Sequence, residues 1–292
     1  MLKKIFPIAL ILTFLLFLTL PPAYSQVAYQ PVGLVGGIDY GNRVVVAKGM
    51  GIPGGIGGRG GQIRAAIMDA QRNYLEVAKG AYVTSSSTVE AGMLTGDVIQ
   101  SKVEGLVRDF TVVDTSYWDD GTIEVTLEFG MSGKFLDAVL PKEIGEASPP
   151  SYTPSPTIIT QPPLVPSQPP AVPSHPQPTP VPTGLVVDGR GLGVRPALAP
   201  KIVDERGEEV YGSSYVSREY AIQQGMVGYA KDPDKASSDD RVAPTPIQVK
   251  GIKAEGPNRS DLVISNQDAA RLLSLSESLN FLRQCKVIIL VD

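Results

Sequence analysis

One stretch of this chain cannot join a hydrophobic core, and it divides everything else. Pro149 to Pro182 carries 14 of the 26 prolines and no Asp, Glu, Lys or Arg. Proline has no amide hydrogen for a ladder and biases the residue before it towards extended backbone. Such a segment samples polyproline II rather than packing. At about 3.1 Å per residue it reaches on the order of 100 Å when extended. A proline-motif ligand is the rival reading, but outside the cytoplasm a spacer is favoured. The expected organisation is a first module over residues 30–146, a Pro-rich disordered linker over 147–183 and a second module over 184–292. The expected fold class is α+β: two small modules, the first an antiparallel sheet with a long helix packed on one face.

The opening residues bear on compartment. Lys3 and Lys4 precede an apolar run from Ile5 to Leu20, then Pro21-Pro22-Ala23-Tyr24-Ser25, with small residues at Ala23 and Ser25. This is the three-part layout of a secretory signal peptide, read here as residues 1–25. A retained anchor is the alternative, but the apolar run is about 16 residues against the roughly 20 that a span needs. No cysteine lies near the cleavage point, so a lipobox is not expected. The expected location is periplasmic or outer-membrane-associated, with no transmembrane segment after signal cleavage. Losing Lys3 and Lys4 moves the formal net charge from −4 to −6. With no basic stripe, nucleic acid is not an expected partner, and attraction to anionic headgroups is unsupported.

The first module reads as a strand at Val44-Val45-Val46, a glycine-rich loop from Gly49 to Gly61, and a helix from about Gln62 to Lys79. Ile63, Ala66, Ile67, Ala70, Tyr74 and Val77 have the spacing of one helical face. Gly80 is placed to end the helix as a left-handed cap. Ala81 to Thr88 reads as a strand, and Asp97 to Val107 as a second helix. A hairpin follows, with strands at 107–117 and 122–131 and a turn at Trp118-Asp119-Asp120-Gly121. The Asp-Gly pair supplies the positive φ that a tight turn needs. Ile123, Val125, Leu127 and Phe129 alternate with Thr122, Glu124, Thr126 and Glu128, which predicts one face on a core and one in water.

The second module reads as mixed. Strands are expected at 185–188, 249–253, 262–265 and 286–291, with a hairpin over 201–211 turning at Glu205-Arg206-Gly207. A short helix is expected at 217–224 and a longer one over 266–284. Ser265-Asn266-Gln267-Asp268 has the form of a capping box at the start of the longer helix.

The chemistry-bearing residues are sparse. Gly55-Ile56-Gly57-Gly58-Arg59-Gly60 fits G-x-G-x-x-G, but the loop is long, Glu76 lies inside the helix and no parallel strand–helix repeat follows. A loop is the better reading. Asp119, Asp120, Glu124 and Glu128 form an acidic cluster that a solvated face explains, with weak calcium binding as the alternative. His175, the only histidine, falls in the spacer, where no triad or zinc site can hold it rigidly. Cys285, the only cysteine, heads an apolar run and reads as a small buried hydrophobe. Asn258-Arg259-Ser260 fits a glycosylation sequon and is read as part of a turn. No catalytic, cofactor-binding or metal-binding residue is expected, no cofactor is expected, and the chain is not expected to be an enzyme.

The run Ala65-Ala66-Ile67-Met68-Asp69-Ala70-Gln71-Arg72-Asn73-Tyr74-Leu75-Glu76-Val77-Ala78-Lys79-Gly80 resembles the helix of the LPP-twenty lipoprotein family. Ile99 to Val107 and Tyr117 to Val125 fit the same pattern, which is shared by the N-terminal module of flagellar assembly protein T. The resemblance covers about 62–131. It implies a helix-on-sheet module and a non-catalytic envelope role near the outer membrane or flagellar basal body. Many members are lipidated, whereas this chain lacks the lipidated cysteine. The implied partners are envelope or flagellar proteins, self-association included. The alternative is a periplasmic glycan- or ligand-binding module, with Tyr117 and Trp118 as its only evident aromatic platform.

Overall fold

A computed structural model describes residues 28–142, 144 and 181–292. The expected signal peptide, His175 and nearly all of the proline-rich spacer lie outside the described residues. The first half holds strands β1 (Tyr29–Val32), β2 (Gly36–Asp39) and β3 (Val44–Gly51), then helices α1 (Gly58–Lys79), α2 (Val89–Thr95) and α3 (Asp97–Gly105). Strands β4 (Phe110–Tyr117) and β5 (Ile123–Gly130) and helix α4 (Lys134–Val139) complete it. All strand pairs here are antiparallel, in the order β1-β2-β3-β5-β4.

Helix α1 lies across β3 and β5, and its buried residues are Ala66, Ala70, Tyr74, Val77 and Ala78. Tyr74 stacks on Phe129 with ring centroids 4.0 Å apart. The expected glycine loop over 49–61 is largely regular structure instead. Gly49 and Gly51 end β3, and α1 starts at Gly58. A Cβ on Gly49 would run into the backbone of Ala66 and Ala70, and one on Gly51 would run into the carbonyl of Gln62. These glycines let a helix backbone settle directly on a strand. Gly80 also differs from expectation. Its φ is −72°, an ordinary right-handed value. A side chain there would crowd Val32 at 3.1 Å, so close packing accounts for the glycine.

The hairpin turn is as expected, with Gly121 at φ +83° and its amide donating to the Trp118 carbonyl at 3.0 Å. The outer face of β5 is less wet than its alternation suggests. Thr126 is 3% exposed and Glu124 8%, because β5 is flanked on both sides and Lys48 reaches across to Glu124 at 3.0 Å. The expected strand over 81–88 is an irregular loop with one bridge, Tyr82 to Thr88. Thr88 caps α2 there by accepting from the Ala91 amide.

The second half holds β6 (Gly184–Asp188), β7 (Ile202–Val203), β8 (Glu209–Tyr211), α5 (Arg218–Gln224), β9 (Gly228–Ala230) and α6 (Pro233–Ser238). It continues with β10 (Pro246–Glu255), β11 (Asp261–Ile264), α7 (Asn266–Ser274), α8 (Ser276–Arg283) and β12 (Val287–Leu290). The sheet order is β8-β7-β11-β10-β6-β12-β9. Strands β10, β6, β12 and β9 run parallel. Leu185-Val186-Val187 and Val287-Ile288-Ile289-Leu290 are buried at every position, as strands covered on both faces should be. Val186, Ile288 and Leu290 pack with Ala236 of α6, while Leu185, Val187 and Ile289 join the main core. The single helix expected over 266–284 is two, parted at Leu275, where ψ is 116°. Ser265 caps α7 by accepting from the Asp268 amide.

The two halves share one continuous core. Tyr40 meets Tyr229 edge to face, with centroids 6.1 Å apart. The Leu198 and Ala199 amides donate to the Tyr82 and Val83 carbonyls at 2.9 and 2.7 Å. Ser85 hydrogen-bonds the Asp261 carboxylate. Arg218 reaches Pro141 O at 2.8 Å and Asp137 Oδ1 at 3.1 Å. Lys102 and Arg218 together hold the Asp137 carboxyl below the usual carboxylate range. Among the described residues no helix is long and apolar enough to cross a membrane.

Candidate functional site

Parallel strands all end at one edge, and their loops diverge there. Open sheets of this kind bind ligands in the crevice so formed. In this chain the carboxyl ends of β6, β12 and β9 open into a cleft of about 480 Å³. Its walls are the loop Gly193–Pro196 after β6, Lys231 directly after β9, Val291 and Asp292 after β12, Arg259 in the β10–β11 turn, and Ala28 and Tyr29 from the first half. The site therefore sits where the two halves meet, a common place for pockets.

The loop Asp188-Gly189-Arg190-Gly191-Leu192-Gly193 is held in a fixed shape. The Asp188 carboxylate accepts two guanidinium bonds from Arg190, at 2.8 and 2.7 Å, and the Arg190 amide at 3.1 Å. The Arg190 side chain holds the Asp188 carboxyl below its ordinary range. Gly191 and Gly193 take φ of +76° and +64°, which glycine adopts without strain. Asp292 Oδ1 accepts from the Gly191 amide at 2.7 Å. Arg259 has φ +57°, uncommon for a residue with a Cβ. Its guanidinium donates to Leu192 O at 2.5 Å, and its own carbonyl accepts from the Arg195 amide at 3.1 Å. Arg195, Lys231 and Arg259 thus approach one concavity from three loops. None of them has a carboxylate within ion-pair distance among the described residues.

At the amino end of the same strands lies a second concavity of about 330 Å³, with Arg43 and Arg241 in its wall. These two arginines are spoken for. Arg43 donates to Gln224 O at 2.8 Å. Arg241 donates to Gly225 O at 3.1 Å, Cys285 O at 2.8 Å and Gln224 O. They satisfy carbonyls left over at the ends of α5 and α8, a structural task for cations. Cys285 is fully buried, and burial pushes its thiol up to about 11. That is the reverse of what a nucleophile needs.

The other residues singled out in the sequence cluster at the far end of the first sheet. Asp119, Asp120, Tyr117 and Trp118 are exposed there, and Arg59 lies 4.3 Å over the Tyr117 ring. Asp120 accepts from the Thr122 amide at 2.8 Å, and this bond holds its carboxyl below the usual range. Glu128, one strand length away, is pushed up by burial and then by Asp39. The structure therefore separates the acidic cluster into turn residues and sheet residues. Among the described residues no three His, Cys, Asp or Glu side chains gather as metal ligands do. Gly55 to Gly57 form the short turn before α1, and Ile56 projects fully into solvent. Gln62 pins this turn to the hairpin by donating to Gly51 O at 2.9 Å and Gly121 O at 2.6 Å.

Sequence reasoning missed the cleft because its three cations are separated by 36 and 28 positions with no motif between them. The glycine-rich run after β6 was the one available signal.

Residues 184–292 match a family model described as the second domain of Treponema pallidum Tp0624. That span is a little over a third of the chain. No curated protein matches the chain.

Proposed function

We propose that this chain is an exported, non-enzymatic protein of the cell envelope that acts by docking onto a larger assembly, such as the flagellar basal body or an outer-membrane complex. The observation that carries this reading is the apolar end of the first sheet. Ile52, Ile56, Tyr117 and Trp118 are between 54% and 103% exposed and lie in or beside the hairpin turn and the turn before α1, with Met50, 54% exposed, on the other face of the sheet. Monomeric proteins seldom leave large apolar side chains grouped in water unless something covers them. Aromatic anchors beside aliphatic ones are the usual centre of a protein interface. Asp119 and Asp120 flank the group and would be repelled by anionic headgroups, which favours a protein partner over a bilayer.

The signal-like residues 1–25 and the family resemblance over 62–131 support an envelope setting. The glycan-binding alternative loses ground at the hairpin, because Arg59 already occupies one face of Tyr117. A photo-crosslinking residue at position 118, expressed in the native cell, tests the docking reading. A discrete adduct with an envelope protein, weakened by Ile52→Asp, is the expected result. Recovery of the chain as a free monomer with no adduct would overturn it. Fractionation with and without residues 1–25 checks export.

A further inference from the structure

We propose that the cleft at the carboxyl ends of β6, β9 and β12 is a binding site for a phosphate-bearing ligand. Three cations from three separate loops, Arg195, Lys231 and Arg259, border one concavity. All three are exposed, and an anion entering the concavity would be attracted by each of them. Among the described residues no carboxylate pairs with any of the three within 4 Å. Among the described residues the one acid in the wall is Asp292, which the Gly191 amide engages, and against three cations its side chain leaves the lining net positive.

The geometry favours phosphate over carboxylate. A planar carboxylate is satisfied by one guanidinium fork, whereas a tetrahedral phosphate presents oxygens to several donors at once. Arg259 spends one donor on Leu192 O and has four left. Arg259 and Gly193 both have left-handed backbone, and a Cβ on Gly193 would stand 3.3 Å from the Arg259 guanidinium. The site is thus built at the expense of an uncommon backbone conformation.

The volume, about 480 Å³, exceeds what a phosphate alone requires. Tyr29, 38% exposed, is the main apolar surface it presents, with Ala28, Val194 and Val291 packed behind. The ligand class is therefore a phosphate ester with a less polar body. A soluble phosphorylated metabolite and a phospholipid headgroup share that chemistry. This inference is independent of the docking reading, because the hairpin end and the cleft lie at opposite ends of the first sheet and either can fail alone.

The test uses the full chain from Gln26 onward. Inorganic phosphate is titrated by calorimetry at neutral pH, with succinate as the carboxylate control. Flotation with phosphatidylglycerol vesicles is run in parallel, with phosphatidylcholine vesicles as the neutral control. Saturable phosphate binding is expected, weakening as ionic strength rises. Arg195→Gln with Lys231→Gln should reduce it by at least about tenfold, while Arg72→Gln on the exposed face of α1 should not. Should the double variant unfold, Lys231→Gln alone carries the test, since Lys231 is exposed. Phosphate binding without vesicle binding assigns a soluble ester; binding to phosphatidylglycerol vesicles, lost in the same variants, assigns a headgroup. Binding of neither probe, equal binding of succinate, or affinity unchanged in the cleft variants overturns the proposal.

Discussion

The two sheets of this protein are built on opposite principles. In the first, helix α1 approaches β3 so closely that Gly49 and Gly51 leave room for no side chain at all. Its outer face is left to polar residues such as Lys48, Glu124 and Thr126. In the second, β6 and β12 carry branched side chains buried on both faces, and helices cover them. Around the first sheet the shared core is made by bringing backbones together, around the second by filling volume. The first should therefore fail when atoms are added, and the second when atoms are removed.

The sharpest break of that contrast is Gly49→Leu. The new side chain would meet backbone rather than flexible neighbours, so a loss of about 3 kcal/mol or more is expected. Denaturant unfolding measures it, and a loss under about 1 kcal/mol would show that α1 can lift off β3 without penalty. Ile289→Ala tests the other side of the comparison. It empties a fully buried position in β12 and should cost about 3 kcal/mol, against near neutrality if the second sheet tolerates voids.

Alkaline unfolding tests how tightly the second half encloses its buried thiol. Folding holds the Cys285 thiol near 11, above the 9.0 of a free one. The native state thus keeps a proton that the unfolded chain releases. Its stabilisation is complete below about pH 9 and declines by on the order of 2 kcal/mol as pH rises towards about 11. Burial also raises Tyr211 and Tyr229, so their phenolate absorbance should appear only with unfolding.

Tyr229→Phe probes the second half where it borders the seam, because the ring that meets Tyr40 is kept and only bonds within the second half are lost. The Tyr229 hydroxyl donates to Ala197 O at 2.8 Å and accepts from Ala197 N at 2.9 Å, both buried. Leaving that amide and carbonyl unpaired should cost about 2 kcal/mol. One cooperative transition should remain, and two separated transitions would show that the halves unfold independently. The smallest effect is expected for Trp118→Ala. The side chain is 56% exposed, so stability should change by about 0.5 kcal/mol or less in denaturant unfolding.

Much of the fold was legible because it rests on local chemistry. The α1 face, the Asp-Gly hairpin, the Ser265 cap and the β6 run are each written in a few adjacent residues. Other parts were hidden for identifiable reasons. Gly49 and Gly51 looked like loop because a glycine needed for close approach has the same signature as one needed for flexibility. Strands β1 and β2 were missed because Gly36-Gly37 and Pro31 carry no β signal of their own. The parallel order of β10, β6, β12 and β9 depends on pairings between residues more than 40 positions apart. The same holds for the cleft, whose cations become neighbours only once those pairings exist.

Strand β12 is supplied after every other strand of its sheet, yet it lies between β6 and β9. Until residues 287–290 arrive, β9 has no neighbour and the edge of β6 stands open. A nascent chain stopped short of that point presents two hungry edges to whatever is nearby. Its assembly should consequently wait for synthesis to pass position 290, and holding factors would have their longest window of work on this half.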